Sequence, residues 1–127
     1  MTAIYLQLVG DELETRDASA WFSKDFPGLA YSHDLYFKPD ELALNLPATQ
    51  LIATRARLEG LENAAGLMRR AAAGEIDRRA PLDVRPYRDG LFLVLDGNST
   101  FLTGLASGWP DFPCRLVEPE AGESPRP

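Results

Sequence analysis

The sequence predicts an α+β domain: a small mixed sheet, one long helix, and a short helix that starts just after an Asp-Gly turn. Three observations carry this expectation. Leu58, Leu61, Ala65, Met68 and Ala72 recur at helical spacing, with Glu59, Glu62, Arg69 and Arg70 mainly on the other side. Short apolar runs elsewhere are bounded by Pro, Gly and Asp, as strands are. The continuous run Leu91 to Leu95 passes through Asp96-Gly97 into a second helical pattern. A chain of 127 residues is enough for one sizeable core and too short for two well-packed ones.

Taken in order, IYLQLV (Ile4 to Val9) reads as a strand ended by Gly10-Asp11. Asp17 is placed to cap a short helix through Phe22, which Phe26-Pro27-Gly28 stops. Ala30 to Phe37 is aromatic and strand-like, and Pro39-Asp40 punctuates it. Leu42 to Leu46 alternates with period two before Pro47, so it reads as a short strand or extended segment leading into ATQLIATRAR. The long helix then runs from Leu58 until Gly74. Pro81 to Tyr87 is a strand between prolines, and Asp89-Gly90 favours a tight hairpin into Leu91 to Leu95, a strand buried on both faces. Phe101, Leu102, Leu105 and Ala106 give the short helix, which Gly108 ends, and Pro113 to Val117 is the last strand. The organisation expected is an N-terminal extension (1–41) packed on a domain (42–118), followed by a proline-rich acidic tail (119–127) read as disordered.

Composition narrows the function. No apolar run approaches the roughly 20 residues of a membrane-spanning helix, and MTAIYLQLVGDELETRD lacks a basic segment followed by a long apolar one; the expectation is a cytoplasmic protein without membrane contact. One cysteine, Cys114, and one histidine, His33, leave no set of soft ligands for a structural zinc. The net charge of −6 weighs against duplex DNA as the main partner, since phosphate neutralisation supplies most non-specific affinity. The charge is uneven, however. Residues 50–90 carry eight arginines against six acids, a locally basic middle compatible with a phosphate site.

The exposed hinge Asp96-Gly97-Asn98-Ser99-Thr100 is the candidate ligand site. Where a buried strand turns through glycine into a helix, the first amides of the helix have no partner within it and present the positive end of the dipole. Anions bind there. Gly97 lets a ligand approach the main chain, Ser99 and Thr100 offer hydroxyls, and Asp96 can hold a metal-bound water or cap the turn. The plain alternative is that Asp-Gly-Asn is common turn chemistry and Ser or Thr simply starts a helix well.

The order of Gly74, Pro81-Leu82-Asp83-Val84, Asp89-Gly90, Leu93-Val94-Leu95-Asp96-Gly97, a short helix, Gly108-Trp109 and Phe112-Pro113-Cys114-Arg115-Leu116-Val117 resembles the ParB/sulfiredoxin-like superfamily over about residues 42 to 118. The resemblance implies nucleotide phosphates on Asp96 to Thr100, with activities that include CTP hydrolysis on DNA, nuclease activity, and ATP-dependent phosphoryl transfer to sulfinic acid or serine. It also implies a basic residue near the phosphates, for which Arg55 and Arg57 stand ahead of the long helix; Arg78 and Arg79 flank the same mouth or are surface charge. The chain departs from the pattern in having Ser99-Thr100 where many relatives carry His-Arg. Asn98 stands at the sulfiredoxin cysteine position, which argues against sulfinic-acid reduction, and the DNA-reading helices of a centromere-binding ParB are not expected in this length.

Two functions remain in competition. One is a phosphate-ligand domain, binding a nucleotide with or without Mg²⁺ and extending to phosphoryl transfer. The other is a non-catalytic interaction module, such as an antitoxin, immunity or regulatory protein, whose acidic surface suits a basic protein partner. DNA binding ranks last.

Overall fold

The computed structural model describes residues 3–117, so the expected tail 119–127 lies outside the described residues. The middle of the sheet is built from two adjacent parallel strands, β4 (Leu51–Ala53) and β6 (Phe92–Asp96), paired Leu51 to Phe92 and Ala53 to Val94. All three residues of β4 are buried although neighbours on a strand face opposite ways, so the sheet is covered on both sides at its centre. Leu51 and Ala53 join the main apolar cluster, whereas the buried Ile52 lies on the other face.

Around this pair stand β1 (Ile4–Val9), β2 (Glu12–Asp17), β3 (Leu44–Pro47), β5 (Leu82–Pro86) and β7 (Asp111–Leu116). The order across the sheet is β2-β1-β4-β6-β5-β7-β3. β1 is parallel to β4 and β5 to β7, and the other three outer pairings are antiparallel. The sheet therefore has seven strands and is not small. The two unexpected strands give no periodic signal: β2 is the polar edge ELETRD, held by main-chain pairing to β1, and β4 is only three residues long.

Three helices complete the domain, α1 (His33–Tyr36), α2 (Leu58–Ala72) and α3 (Asn98–Ala106). The first corrects the strand expected over Ala30 to Phe37. Those aromatic residues serve a packing role that a single helical turn satisfies: Tyr36 and Phe37 are buried, with ring centroids 5.0 and 6.4 Å from Trp109. Tertiary contact here overrides strand propensity. The expected cap at Asp17 forms, its Oδ1 accepting from the Ser19 amide at 3.0 Å at the head of a 3-10 turn, Ala18–Trp21.

The β5–β6 hairpin closes through Asp89 and Gly90 at φ +55° and +75°, with the Leu91 amide donating to Arg88 O, the geometry of a type I′ turn. Helix α3 packs on Trp109 and Phe112 through Gly104, where a Cβ would lie 2.8 Å from the Trp109 ring. Trp109 Nε1 donates to Leu29 O at 2.9 Å and the Leu29 amide donates to Ser107 Oγ at 2.9 Å, so the end of α3 pins the N-terminal segment. His33 Nε2 lies 3.1 Å from Asp111 Oδ1, a partly packed histidine that ties α1 to the start of β7. Among the described residues no helix is long and apolar enough to cross a membrane.

Burial pushes the Cys114 thiol up to about 12 from an ordinary 9.0 and also raises the Tyr36 phenol, while a hydrogen bond to Asp111 raises Tyr31. All three hold their protons more tightly folded than unfolded, so their stabilisation is intact below the unfolded values and is lost as pH rises through the folded ones. The urea midpoint should hold steady to about pH 8 and decline from about pH 9 upward. Cys114 should react with a thiol reagent at about pH 8 only once denaturant is added; rapid labelling of the native protein would contradict its burial.

Candidate functional site

Parallel strands end on the same side of a sheet, and in α/β proteins ligands bind outside those carboxyl ends. Here β4 runs out into Thr54–Arg57 and then α2, while its neighbour β6 runs out through Gly97 into α3. The two strand-to-helix turns lie side by side. Between them and the flank of α2 opens a cleft of about 650 Å³, a size suited to a small organic ligand.

One side chain joins the two turns. Asn98 Oδ1 accepts from the Thr54 amide at 2.8 Å, and Asn98 Nδ2 donates to Thr54 Oγ1 and to Val94 O, both at 3.1 Å. The Thr54 hydroxyl donates in turn to Val94 O at 2.6 Å. Both polar atoms of the Asn98 amide are thus engaged within the protein, and the side chain fixes the walls of the cleft that it lines.

Gly97 takes the left-handed conformation, φ +97° and ψ +19°, as the N-cap of α3, and no side chain caps that helix. By the geometry of a helix start, the amides that follow point out of it unpaired. A Cβ at Gly97 would fall 2.5 Å from Leu82 Cδ2 and 3.0 Å from both terminal nitrogens of Arg79, so the position is restricted by space as well as by φ.

Arg79 is the cation that reaches this turn. Its Nη1 donates to Thr100 Oγ1 at 3.3 Å, its Nη2 pairs with Asp96 Oδ2 at 3.3 Å, and its Nε donates to Ala80 O at 2.8 Å. A guanidinium has five N–H donors, so one remains on each terminal nitrogen. The main chain of Arg79 is fixed from the N-terminal segment: its amide donates to Tyr36 O at 3.2 Å and its carbonyl accepts from the Lys38 amide at 2.7 Å.

Asp96, Gly97, Asn98, Ser99, Thr100 and Arg55 all line the cleft. Arg57 does not; it is the exposed N-cap of α2. Ser99 faces the start of that helix, where a Cβ on Gly60 would lie 2.9 Å from Ser99 Oγ, so Gly60 is what allows the two helix starts to approach. Arg79 is the functional candidate that weighs more in the structure than in the sequence. Its local signal is only an Arg78-Arg79 pair before Ala80-Pro81, and what aims it is long-range pairing with residues 36 to 38. Among the described residues no group of three His, Cys, Asp or Glu side chains is arranged to hold a metal ion.

Compared with protein-family models and with curated proteins, the chain finds no match in either.

Replacing Asn98 with Ala strands the Thr54 amide in a mostly buried position, and chemical denaturation should report a loss of about 2–3 kcal/mol. Gly97→Ala should cost about 1–3 kcal/mol from φ alone, and more if Leu82 and Arg79 fail to give way. A neutral Asn98→Ala variant would show that the two turns are held by something else.

Proposed function

We propose that the chain is a diverged ParB/sulfiredoxin-like domain that binds a phosphate-bearing ligand of the nucleotide class at the turn from β6 into α3. The observation that carries this reading is the meeting of an uncapped helix start with the two free N–H donors of Arg79, at the mouth of a cleft large enough for a small molecule. Phosphate oxygens would accept from the first amides of α3 and from Arg79, with Ser99 Oγ a further donor and Arg55 at the rim. Arg79 approaches from the segment before β5 and so supplies the charge that His-Arg provides in relatives. Asp96, paired with Arg79, orients the guanidinium over the turn.

The second reading, an interaction module that has lost its clamp, draws support from a different place. Leu42 and Leu44, at and before the edge strand β3, are 79% and 45% exposed, and Leu116 on the adjacent β7 is 49% exposed. Apolar side chains gathered at one sheet edge are a usual mark of a protein contact.

Thermal unfolding with inorganic phosphate, pyrophosphate and nucleotides, each with and without Mg²⁺, tests the first reading. A ligand at 100 times its dissociation constant should add about 2.7 kcal/mol of stability. Arg79→Met should weaken that ligand at least tenfold at unchanged pH. If none of these anions moves the midpoint, and a stoichiometric protein partner that survives salt co-purifies instead, the second reading replaces the first.

A further inference from the structure

The cleft is larger than a phosphate site needs, and its lining is mixed in chemistry. One part is the start of α3 with Arg79 and Asp96, and Arg55 also lines the cleft. The lining also includes the flank of α2, where Ala64, Leu67, Met68 and Ala71 succeed one another, together with Tyr36, Ile76 and Asp77. Leu67 is 42% exposed there, an apolar side chain facing open space in the cleft.

The charges that line the cleft are two arginines and two aspartates, Arg55, Arg79, Asp77 and Asp96, which cancel formally. Part of the Arg79 charge is already answered by Asp96 at 3.3 Å. What remains is the partial charge of a helix start, of order +0.5, and a share of two guanidinium groups. A field of that size suits an anion of one or two charges. A triphosphate, with about four at neutral pH, would bring most of its charge into a cleft that cannot answer it, beside Asp96 and Asp77.

We infer that the ligand is a phosphomonoester with a weakly polar body, of the nucleoside monophosphate class, with its phosphate at Arg79 and its body along the Ala64–Ala71 flank of α2, and that metal-free triphosphates are discriminated against. This rests on the phosphate-binding reading above and names the substrate class of the same site.

Titration calorimetry with inorganic phosphate, the four common ribonucleoside monophosphates, the matching triphosphates without divalent metal and the unphosphorylated nucleosides separates the two ideas. The inference requires at least one monophosphate to bind tenfold or more tightly than inorganic phosphate, and at least tenfold more tightly than its metal-free triphosphate. Ala64→Trp, which fills the apolar part of the cleft, should bring that monophosphate down to the affinity of inorganic phosphate. Leu67→Asn, at a position already exposed, should weaken it in the same direction and serves if the tryptophan disturbs the fold. A triphosphate that binds as tightly as the monophosphate, or a monophosphate no tighter than inorganic phosphate, overturns the inference and leaves the phosphate site standing. No binding by any of these probes overturns both.

Discussion

The arrangement depends on one side-chain amide placed where two parallel strands end. At that edge the ladder between β4 and β6 stops, and the Thr54 amide and the Val94 carbonyl need partners that the ladder no longer supplies. Asn98 meets both needs with one planar group, having an acceptor and two donors set at a fixed angle. Because it is also the first residue of α3, the same contact sets where that helix begins. The start of α2 follows four residues after Thr54, so the separation of the two helix starts is governed by a single rigid link. An aliphatic residue of equal volume would fill the space and leave the two turns unregistered.

The second constraint is electrostatic. An arginine beside a helix start meets the same positive potential that an anion would find attractive, and it needs a compensating group to stay there. Asp96 and Thr100 provide it, one by charge and one by hydroxyl, and both belong to the turn the arginine serves. The result is a cation held in place within the protein, an arrangement that on the phosphate-binding reading lowers the ordering cost of binding. Asp96 is 73% exposed, so its pairing with Arg79 is screened by water and is a weak contributor to overall stability.

Much of this could be read in the chain. The helical spacing from Leu58, the Asp89-Gly90 hairpin, the cap at Asp17 and the step from a buried run through Gly97 into a helix are local patterns, and the structure contains each. What could not be read is non-local. β4 is visible only as three apolar residues until β1 and β6 flank it, and β2 carries no alternation because an edge strand needs only its main chain to pair. The aromatic stretch before Phe37 resembles a strand in composition, and Trp109, more than seventy residues away, decides otherwise. In the site, Asn98 lines the cleft as expected, but its part as the link between the two turns has no local signal, because Thr54 is 44 residues away. Arg79 looks like surface charge because nothing near it in sequence says that residues 36 to 38 will hold its backbone.

That last dependence joins two parts of the molecule thermodynamically. The main chain of Arg79 is bonded to Tyr36 and Lys38, and these in turn belong to the segment that Leu29 anchors on Ser107 and Trp109. Loosening residues 29 to 38 removes the main-chain bonds that hold Arg79, and on the phosphate-binding reading it lowers the occupancy of the cleft. By reciprocity, an occupant gripping Arg79 must tighten that segment by the same free energy. On the phosphate-binding reading, the order of residues 29 to 38 and the filling of the cleft rise and fall together.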